Sequence, residues 1–342
     1  MINCTATTNC DTEEEYRHLP TIIFLAIIMV LFIFFSVFGN VLVVLAVIKT
    51  PSLREEKSNY LVINLAVTDM LNGATVMLST FVALTTDTHT VPYSLCNLMC
   101  AANYCFIISS MMTLCFISVD RLYAVVFPLK YLDLITSKTL AILIAESWIQ
   151  GIIFSMVPII EDWIEYDYYE ITCAIQWHKK GDNAIYYVIV AFILCFLGPG
   201  LVLGFNYMKI LREAKKKMKI WAVTLQTSKN NSVKKKVKKE SASAKTVRSL
   251  LIVVCAYFIC MTPFSVTKLI KVSSQRDIIS GPVNSTASLF AFASSVVNPM
   301  IYGIFRRDFR RAFQLIMRKR QSENSVTRPC RTSYALDQST NT

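Results

Sequence analysis

Seven stretches of the chain, near 20–48, 59–85, 95–127, 138–160, 184–211, 245–272 and 283–304, stay apolar long enough to cross a bilayer as helix, which takes roughly 20 residues. The first, fourth, fifth and sixth are plain runs, whereas the second, third and seventh carry Asn, Asp and Ser among the apolar positions. Lipid offers no partner to a free backbone N–H or C=O, and none of the stretches alternates like a barrel strand, so each is expected to be helical. The fold expected is an all-α membrane protein, a seven-transmembrane helix bundle over 20–304.

After the seventh stretch, Phe305, Phe309 and Phe313 recur at every fourth position among Arg306, Arg307, Arg310 and Arg311. One face is aromatic and the rest basic, which predicts a short amphipathic helix over 305–318 lying on the anionic lipids of the inner leaflet. The flanking segments 1–19 and 319–342 are polar; the first reads as an extracellular N-terminus and the second as a disordered cytoplasmic tail. Residues 1–20 are acidic and polar rather than a basic run before a short apolar core, so the first span is expected to insert uncleaved.

Charge gives the orientation. Only 17% of the 342 residues are charged, against roughly 25% in soluble domains, and the formal net charge is +12. The basic charge reads better as a membrane-surface feature than as a nucleic-acid site, so nucleic acid is not an expected partner. Lys49, Arg54 and Lys57, Lys130 and Lys138, and the runs around Lys215, Lys234 and Arg318 all fall on one side of the spans. That side is cytosolic by the positive-inside rule. The other side holds Asp11, Glu13, Glu14 and Glu15 and the acidic loop Glu161, Asp162, Glu165, Asp167 and Glu170. An outside N-terminus and an inside C-terminus need an odd number of spans, which fits a multi-pass plasma-membrane protein. Asn3-Cys4-Thr5 is then an outward glycosylation acceptor, and Asn284-Ser285-Thr286 a second triplet close to the bilayer.

Cysteine and histidine carry little chemistry here. Cys105, Cys115, Cys195, Cys255 and Cys260 sit inside apolar stretches as small hydrophobes, and His18, His89 and His178 all lie outside the spans. Cys96 starts the third span on the outer side and Cys173 lies in the loop after the fourth. A bridge between them would pin that loop over the bundle mouth in an oxidising compartment. Cys4, Cys10 and Cys100 are outside as well, and a Cys4–Cys10 loop is open too.

Asp69 is an ionisable residue in mid-span, where bare charge is expensive and such groups face the bundle interior. Asn40, Ser110, Ser294, Ser295 and Asn298 fall at comparable depth. Such an oxygen-rich set suits a small hard cation such as Na⁺ or a helix-linking hydrogen-bond network. Asp120-Arg121 ends the third span; the stretch from Cys96 to Arg121 covers about 37 Å as helix and so carries an outer cysteine and an inner arginine on one rod. Pro158, Pro199, Pro263 and Pro299 are expected to interrupt their helices and supply hinges.

Taken in order, Gly39-Asn40, Asn64-Leu65-Ala66-Val67-Thr68-Asp69, Cys96, Asp120-Arg121-Leu122, Trp148, Pro199 with Tyr207, and Asn298-Pro299-Met300-Ile301-Tyr302 resemble the rhodopsin-like (class A) G-protein-coupled receptors over about Gly39 to Phe313. The resemblance implies a receptor that converts binding of an extracellular ligand into activation of a heterotrimeric G protein. Asp120, Arg121, Pro128, Leu129, Tyr207 and Tyr302 would meet the G protein once the sixth helix swings outward. Asp69, Ser110, Ser294 and Asn298 would form the family's sodium site, with no other cofactor implied. Ser322, Ser325, Thr327 and Ser333 would serve receptor kinases and arrestin.

Four departures matter. The family's usual Trp is Met261 in Cys260-Met261-Thr262-Pro263. Its acidic partner for the third-span arginine would fall at Ser243, which cannot form that ion pair, so the resting state is expected to be loosely latched and to signal without ligand. Where the similar amine receptors hold Asp, this chain has Asn103, so a monoamine ligand is not expected. Phe292 replaces the retinal-binding Lys of opsins. By the same resemblance, Asn103, Tyr104, Ile107, Ala191, Met261, Phe264, Lys268, Ser288 and Phe292 face the ligand pocket. The acidic outer loop reads either as a lure for cationic ligands or as a solvated loop.

The rival reading is a polytopic transporter of a small solute, which should show internal repeats and paired broken helices; neither is visible. No filter loop suggests a channel, and no paired base or metal set at depth suggests an enzyme. Glu146 near Trp148 has no evident partner.

Overall fold

The computed structural model describes residues 17–87, 90–176, 181–227, 231–274 and 278–326. Among these residues, seven helices are long and apolar enough to cross a membrane: α1 Leu19–Lys49, α2 Asn59–Thr85, α3 Tyr93–Val126, α4 Ser137–Ile160, α5 Asn183–Ile220, α6 Ser249–Ser274 and α7 Gly281–Phe305. An eighth, α8 Arg307–Val326, follows at once. Between α4 and α5 the connecting loop folds into an antiparallel hairpin, β1 Ile164–Asp167 with β2 Thr172–Ile175, which sits outside the helical bundle.

Chain chemistry sets the ends. Pro20 opens α1, where a missing N–H costs nothing. Thr50 is extended before Pro51, as a residue preceding proline prefers to be. The Thr136 hydroxyl caps α4 by accepting from the Thr139 N–H at 3.2 Å. The helices of α5 and α6 run on to Thr227 and back to Asn231.

The prolines behave differently from expectation. Pro158, Pro263 and Pro299 lie inside continuous helices; only Pro199 is accompanied by a wide π-helical turn, Ile193–Leu197. Two more wide turns, Phe35–Gly39 and Gly73–Met77, occur in α1 and α2 without proline. They lie back to back. A side chain at Gly73 would begin 2.7 Å from Ser36 Oγ, and one at Gly39 would begin 2.8 Å from Pro299 Cγ, so both glycines permit close approach of backbones.

The core runs down the middle of the bundle around α3, from Met111 and Leu114 to Leu203, Ile210, Val253 and Tyr302. The expected surface helix is longer and more embedded than its sequence suggested. It starts at Arg307, beyond a non-helical Arg306, and extends to Val326 rather than ending at 318. Phe309 and Phe313 are buried, with the Phe309 ring 5.4 Å from that of Tyr302. Two of the three phenylalanines therefore pack on the protein; Phe305, Leu315 and Met317 remain exposed for lipid.

Candidate functional site

The functional residues form three layers along the bundle axis. At the inner end, Asp120 and Arg121 sit in the last turns of α3. Arg121 Nε donates to Asp120 Oδ2 at 2.8 Å and Nη1 donates to Glu56 Oε1 at 2.8 Å. Its other terminal nitrogen donates to the Ser58 hydroxyl. Tyr131 OH donates to Asp120 Oδ1 at 3.0 Å, and burial together with the Asp120 charge pushes this phenol up to about 12. Burial alone would raise the Glu56 carboxyl, but Arg121 beside it holds it below its ordinary range. The Arg121 side chain is only 13% exposed, so its charge is neutralised and covered.

Tyr207 and Tyr302 are buried beneath this cluster, and neither phenol oxygen has a hydrogen-bond partner. Pro128 opens the short helix Pro128–Leu134, whose Leu129 is 89% exposed. Ser243 lies on the inward extension of α6, where only the backbone is described, as do Ser322 and Ser325 on α8. Thr327, Ser333, Asn3, Cys4 and Cys10 lie outside the described residues.

The middle layer centres on Asp69, whose Oδ2 accepts from Asn298 Nδ2 at 2.8 Å. Asn40 Nδ2 ties Ser36 O at 2.8 Å to Ser295 O at 3.1 Å, linking α1 to α7. Ser110 pairs with Thr68 at 2.9 Å and Ser294 donates to Ala291 O at 2.6 Å, so these two hydroxyls turn to neighbours on α2 and α7. Asn40 Oδ1 is buried without a partner. No cluster of three His, Cys, Asp or Glu that could hold a metal occurs among the described residues. An Na⁺ ion here would rest on one carboxylate, hydroxyls and amide oxygens, which are the donors a hard cation takes. Trp148 Nε1 donates to Asn64 Oδ1 at 2.9 Å, locking α4 to α2.

The outer layer brings all nine expected pocket residues together. Tyr104, Ile107, Ala191, Met261, Phe264 and Lys268 line a cavity of about 130 Å³ between α3, α5 and α6. Asn103, Ser288 and Phe292, with Ile107 and Phe264 again, line an adjoining recess of about 10 Å³. Asn72 belongs to that recess too. It escaped the sequence reading, although it lies one helical turn from Asp69, a spacing that puts two polar residues on one face of α2.

The acidic loop is neither a free lure nor merely solvated. Glu170 is buried at the turn between β1 and β2, and Lys268 Nζ donates to both of its carboxylate oxygens. Lys271 Nζ donates to Glu170 Oε1 at 3.0 Å and Asp167 Oδ2 at 3.1 Å. Burial raises the Glu170 carboxyl, but the two lysines outweigh it and hold the group below its ordinary range. Glu161, Asp162 and Glu165 are the exposed remainder.

Further contacts fasten this lid. Cys96 and Cys173 are disulfide-bonded with Cα atoms 5.3 Å apart, while Cys100 is a buried free thiol. Arg17 bridges to Asp87 at 2.9 Å and stacks 3.6 Å over the Tyr168 ring. The Ser285 hydroxyl donates to Tyr169 O at 2.5 Å. Ile171 takes a left-handed backbone, φ 60°, and packs its side chain among Leu25, Met29, Val76 and Phe292. A β-branched residue in that conformation is strained; burying its side chain offsets the strain. Asn284 is buried, which removes the second glycosylation triplet as an acceptor.

Glu56, Ser58, Glu170 and Lys271 were also missed as site residues. Glu56 left one trace in the sequence: with Glu55 it is one of two adjacent acids in a loop that also carries Lys49, Arg54 and Lys57.

The octopamine receptor beta-2R of Drosophila melanogaster is 26% identical over 336 residues, covering 88% of this chain, which spans 62% of that receptor's length. The human 5-hydroxytryptamine receptor 4 is 24% identical over 350 residues, covering 95% of this chain and 88% of its own. The fold superposes on the crystal structure of squid rhodopsin with a TM-score of 0.77 at 20% identity, covering 91% of this chain and 89% of that one. The model of the 7 transmembrane receptor (rhodopsin family) matches residues 39–302. With seven spans, a covered arginine at one end and a lidded cavity at the other, this chain belongs to the rhodopsin family of 7 transmembrane receptors.

Proposed function

We propose that this protein is a plasma-membrane receptor that reads an extracellular ligand in the lidded cavity and activates a heterotrimeric G protein through Arg121. The supporting observation is the covering of Arg121. A cation held by Asp120, Glu56 and Ser58 at the cytosolic end of α3 is a latch with a definite closed state. A partner that binds only the open state shifts the balance towards it. Leu129, almost fully exposed, is an apolar anchor for the same partner, and the buried phenols of Tyr207 and Tyr302 gain hydrogen-bond partners as the inner end opens.

The N-terminus faces outward and the C-terminus the cytosol, in keeping with the Lys/Arg bias. Asp69, with Ser110, Ser294 and Asn298, holds Na⁺ in the resting arrangement; the carboxylate supplies the charge, and the hydroxyls reach the ion by rotating away from Thr68 and Ala291. The exposed Phe305, Leu315 and Met317 beside Arg307, Arg310 and Arg311 seat α8 on lipid. The tail hydroxyls, Ser322, Ser325, Thr327 and Ser333, are substrates for receptor kinases and thereby recruit arrestin. The relatives are named for octopamine and 5-hydroxytryptamine, both amines, but Asn103 leaves this pocket without an acid for an ammonium group.

The test is G-protein recruitment in intact cells. The wild type is expected to recruit a G protein above untransfected cells, and Arg121→Ala, matched for surface expression, to lose that signal. Recruitment untouched by the substitution overturns the reading, and solute flux in place of recruitment favours the transporter.

A further inference from the structure

We infer that the ligand of this cavity is an uncharged molecule built on about one ring and carrying N–H or O–H donors. This rests on the receptor reading above and deepens it to a ligand class.

Charge comes first. Among the described residues, Lys268 is the one charged residue lining either compartment, and both oxygens of Glu170 already take its ammonium. Lys271 and Asp167 close the same cluster, so among the described residues two cations face two anions. A cationic ligand finds no carboxylate, since Asn103 is an amide. An anionic ligand would have to displace Glu170 and leave that carboxylate buried without its cations, a change costly in a low-dielectric interior.

Size is next. The larger of the two compartments, about 130 Å³, is close to an engineered core cavity of about 150 Å³ that takes up benzene. Tyr104, Ile107, Phe192, Phe196 and Phe264 line it, an apolar and aromatic wall suited to a single ring.

Polarity fixes the head group. Asn72 Oδ1, Asn103 Oδ1 and Ser288 Oγ are all buried, each residue 4% exposed, and none has a hydrogen-bond partner. All three residues line the small recess. Two amide oxygens can only accept, so whatever enters must donate. The recess shares Ile107 and Phe264 with the larger compartment, which places a donor head beside a ring-sized body. Unsatisfied buried acceptors are rare in folded proteins, and three around one recess are the mark of a site prepared for a partner.

Benzamide and acetophenone separate the parts of the inference, because they share ring, carbonyl and shape and differ only in NH₂ against CH₃. Binding is read as thermal stabilisation of the purified full-length receptor at millimolar probe. Benzamide is expected to bind about tenfold more tightly than acetophenone, the effect of about one well-made hydrogen bond, and more tightly than benzylamine or benzoate. Asn103→Leu is expected to erase the benzamide preference, with Ser288→Ala as the milder variant should the first not fold. Asn103→Asp is expected to reverse the order in favour of benzylamine. Equal binding of benzamide and acetophenone, as when a single water fills the recess, overturns the inference. Tighter binding of a charged probe, or no binding by any ring-sized probe, does so as well. The readout needs no G protein, so these failures are distinct from the Arg121→Ala result, which bears on the receptor reading alone.

Discussion

Arg121 and Glu56 are joined at 2.8 Å between the inner end of α3 and the loop after α1. This pair stands in for the α6 acid that Ser243 fails to supply. The latch has therefore moved to a neighbouring loop, and the expected ligand-independent signalling depends on how well the substitute holds. The Glu56 side chain is 40% exposed, and a pair with that much water contributes only ~0.2–1 kcal/mol.

Glu56→Gln is accordingly expected to raise ligand-free G-protein recruitment by roughly 1.5- to 5-fold at matched surface expression, the ratio that energy corresponds to. Ser243→Glu in the same background should bring it back down. Unchanged basal recruitment in Glu56→Gln would mean that Asp120 and Ser58 suffice to hold Arg121.

The outer lid should fail in a different way. Removing the Glu170 charge leaves Lys268 and Lys271 buried with Asp167 as their remaining carboxylate in the cluster. Glu170→Gln is expected to cost up to ~3–5 kcal/mol, the range for breaking a buried pair from one side. The measurement is the thermal midpoint of the purified receptor. Replacing Glu170 and Lys268 together by Met should cost less than the single change, because no unpaired charge is left at that point.

Acidity should leave this lid closed over a wide range. The Glu170 carboxyl sits below its ordinary value in the folded state, so its contribution is fully present above the unfolded value near about 4.3. It is lost only as pH falls through the depressed folded value. Stability measured between about pH 7.4 and 5.5 should therefore show no loss assignable to Glu170, and a wild-type drop in that window absent from Glu170→Gln would contradict the assignment.

Sodium should act through Asp69. Added Na⁺ is expected to lower ligand-free recruitment in the wild type relative to K⁺ at the same ionic strength, and Asp69→Asn should abolish the difference. An Na⁺ effect of equal size in Asp69→Asn would place the ion elsewhere.

Much of this was legible in the chain. The seven apolar stretches mark the spans because lipid leaves the backbone no alternative to helix, and the nine expected pocket residues line two adjoining compartments because each is fixed to a rod whose ends are known. Glu56, Glu170 and Lys271 were not legible, and for one reason. Glu56 and Glu170 sit in loops, where neither helical period nor bilayer depth fixes direction, and a loop acid reads as solvated until its partner, Arg121 or the α6 lysines, is located. Phe309 was half-legible: its spacing gave the helix, but not that Tyr302 would be there to cover the ring.

The glycines beside the first two wide turns give a further expectation. A methyl group at Gly39 would begin 2.8 Å from Pro299 Cγ, closer than real contacts allow, so Gly39→Ala should push α1 off α7. Overpacking of this kind costs about 1–3 kcal/mol and should lower the thermal midpoint, while an alanine at Gly204, which meets nothing within 4 Å, serves as the neutral control.

The wide turns at Phe35–Gly39, Gly73–Met77 and Ile193–Leu197 also change how this molecule can be cut and joined. Each holds one residue more than a regular turn, so counting faces from the cytosolic end goes wrong by about 100° past it. A chimera that borrows the outer part of α1, α2 or α5 but leaves its bulge behind would aim every transplanted side chain at the wrong neighbour. The junction has to lie on the cytosolic side of the bulge for the borrowed half to arrive facing the way it does here.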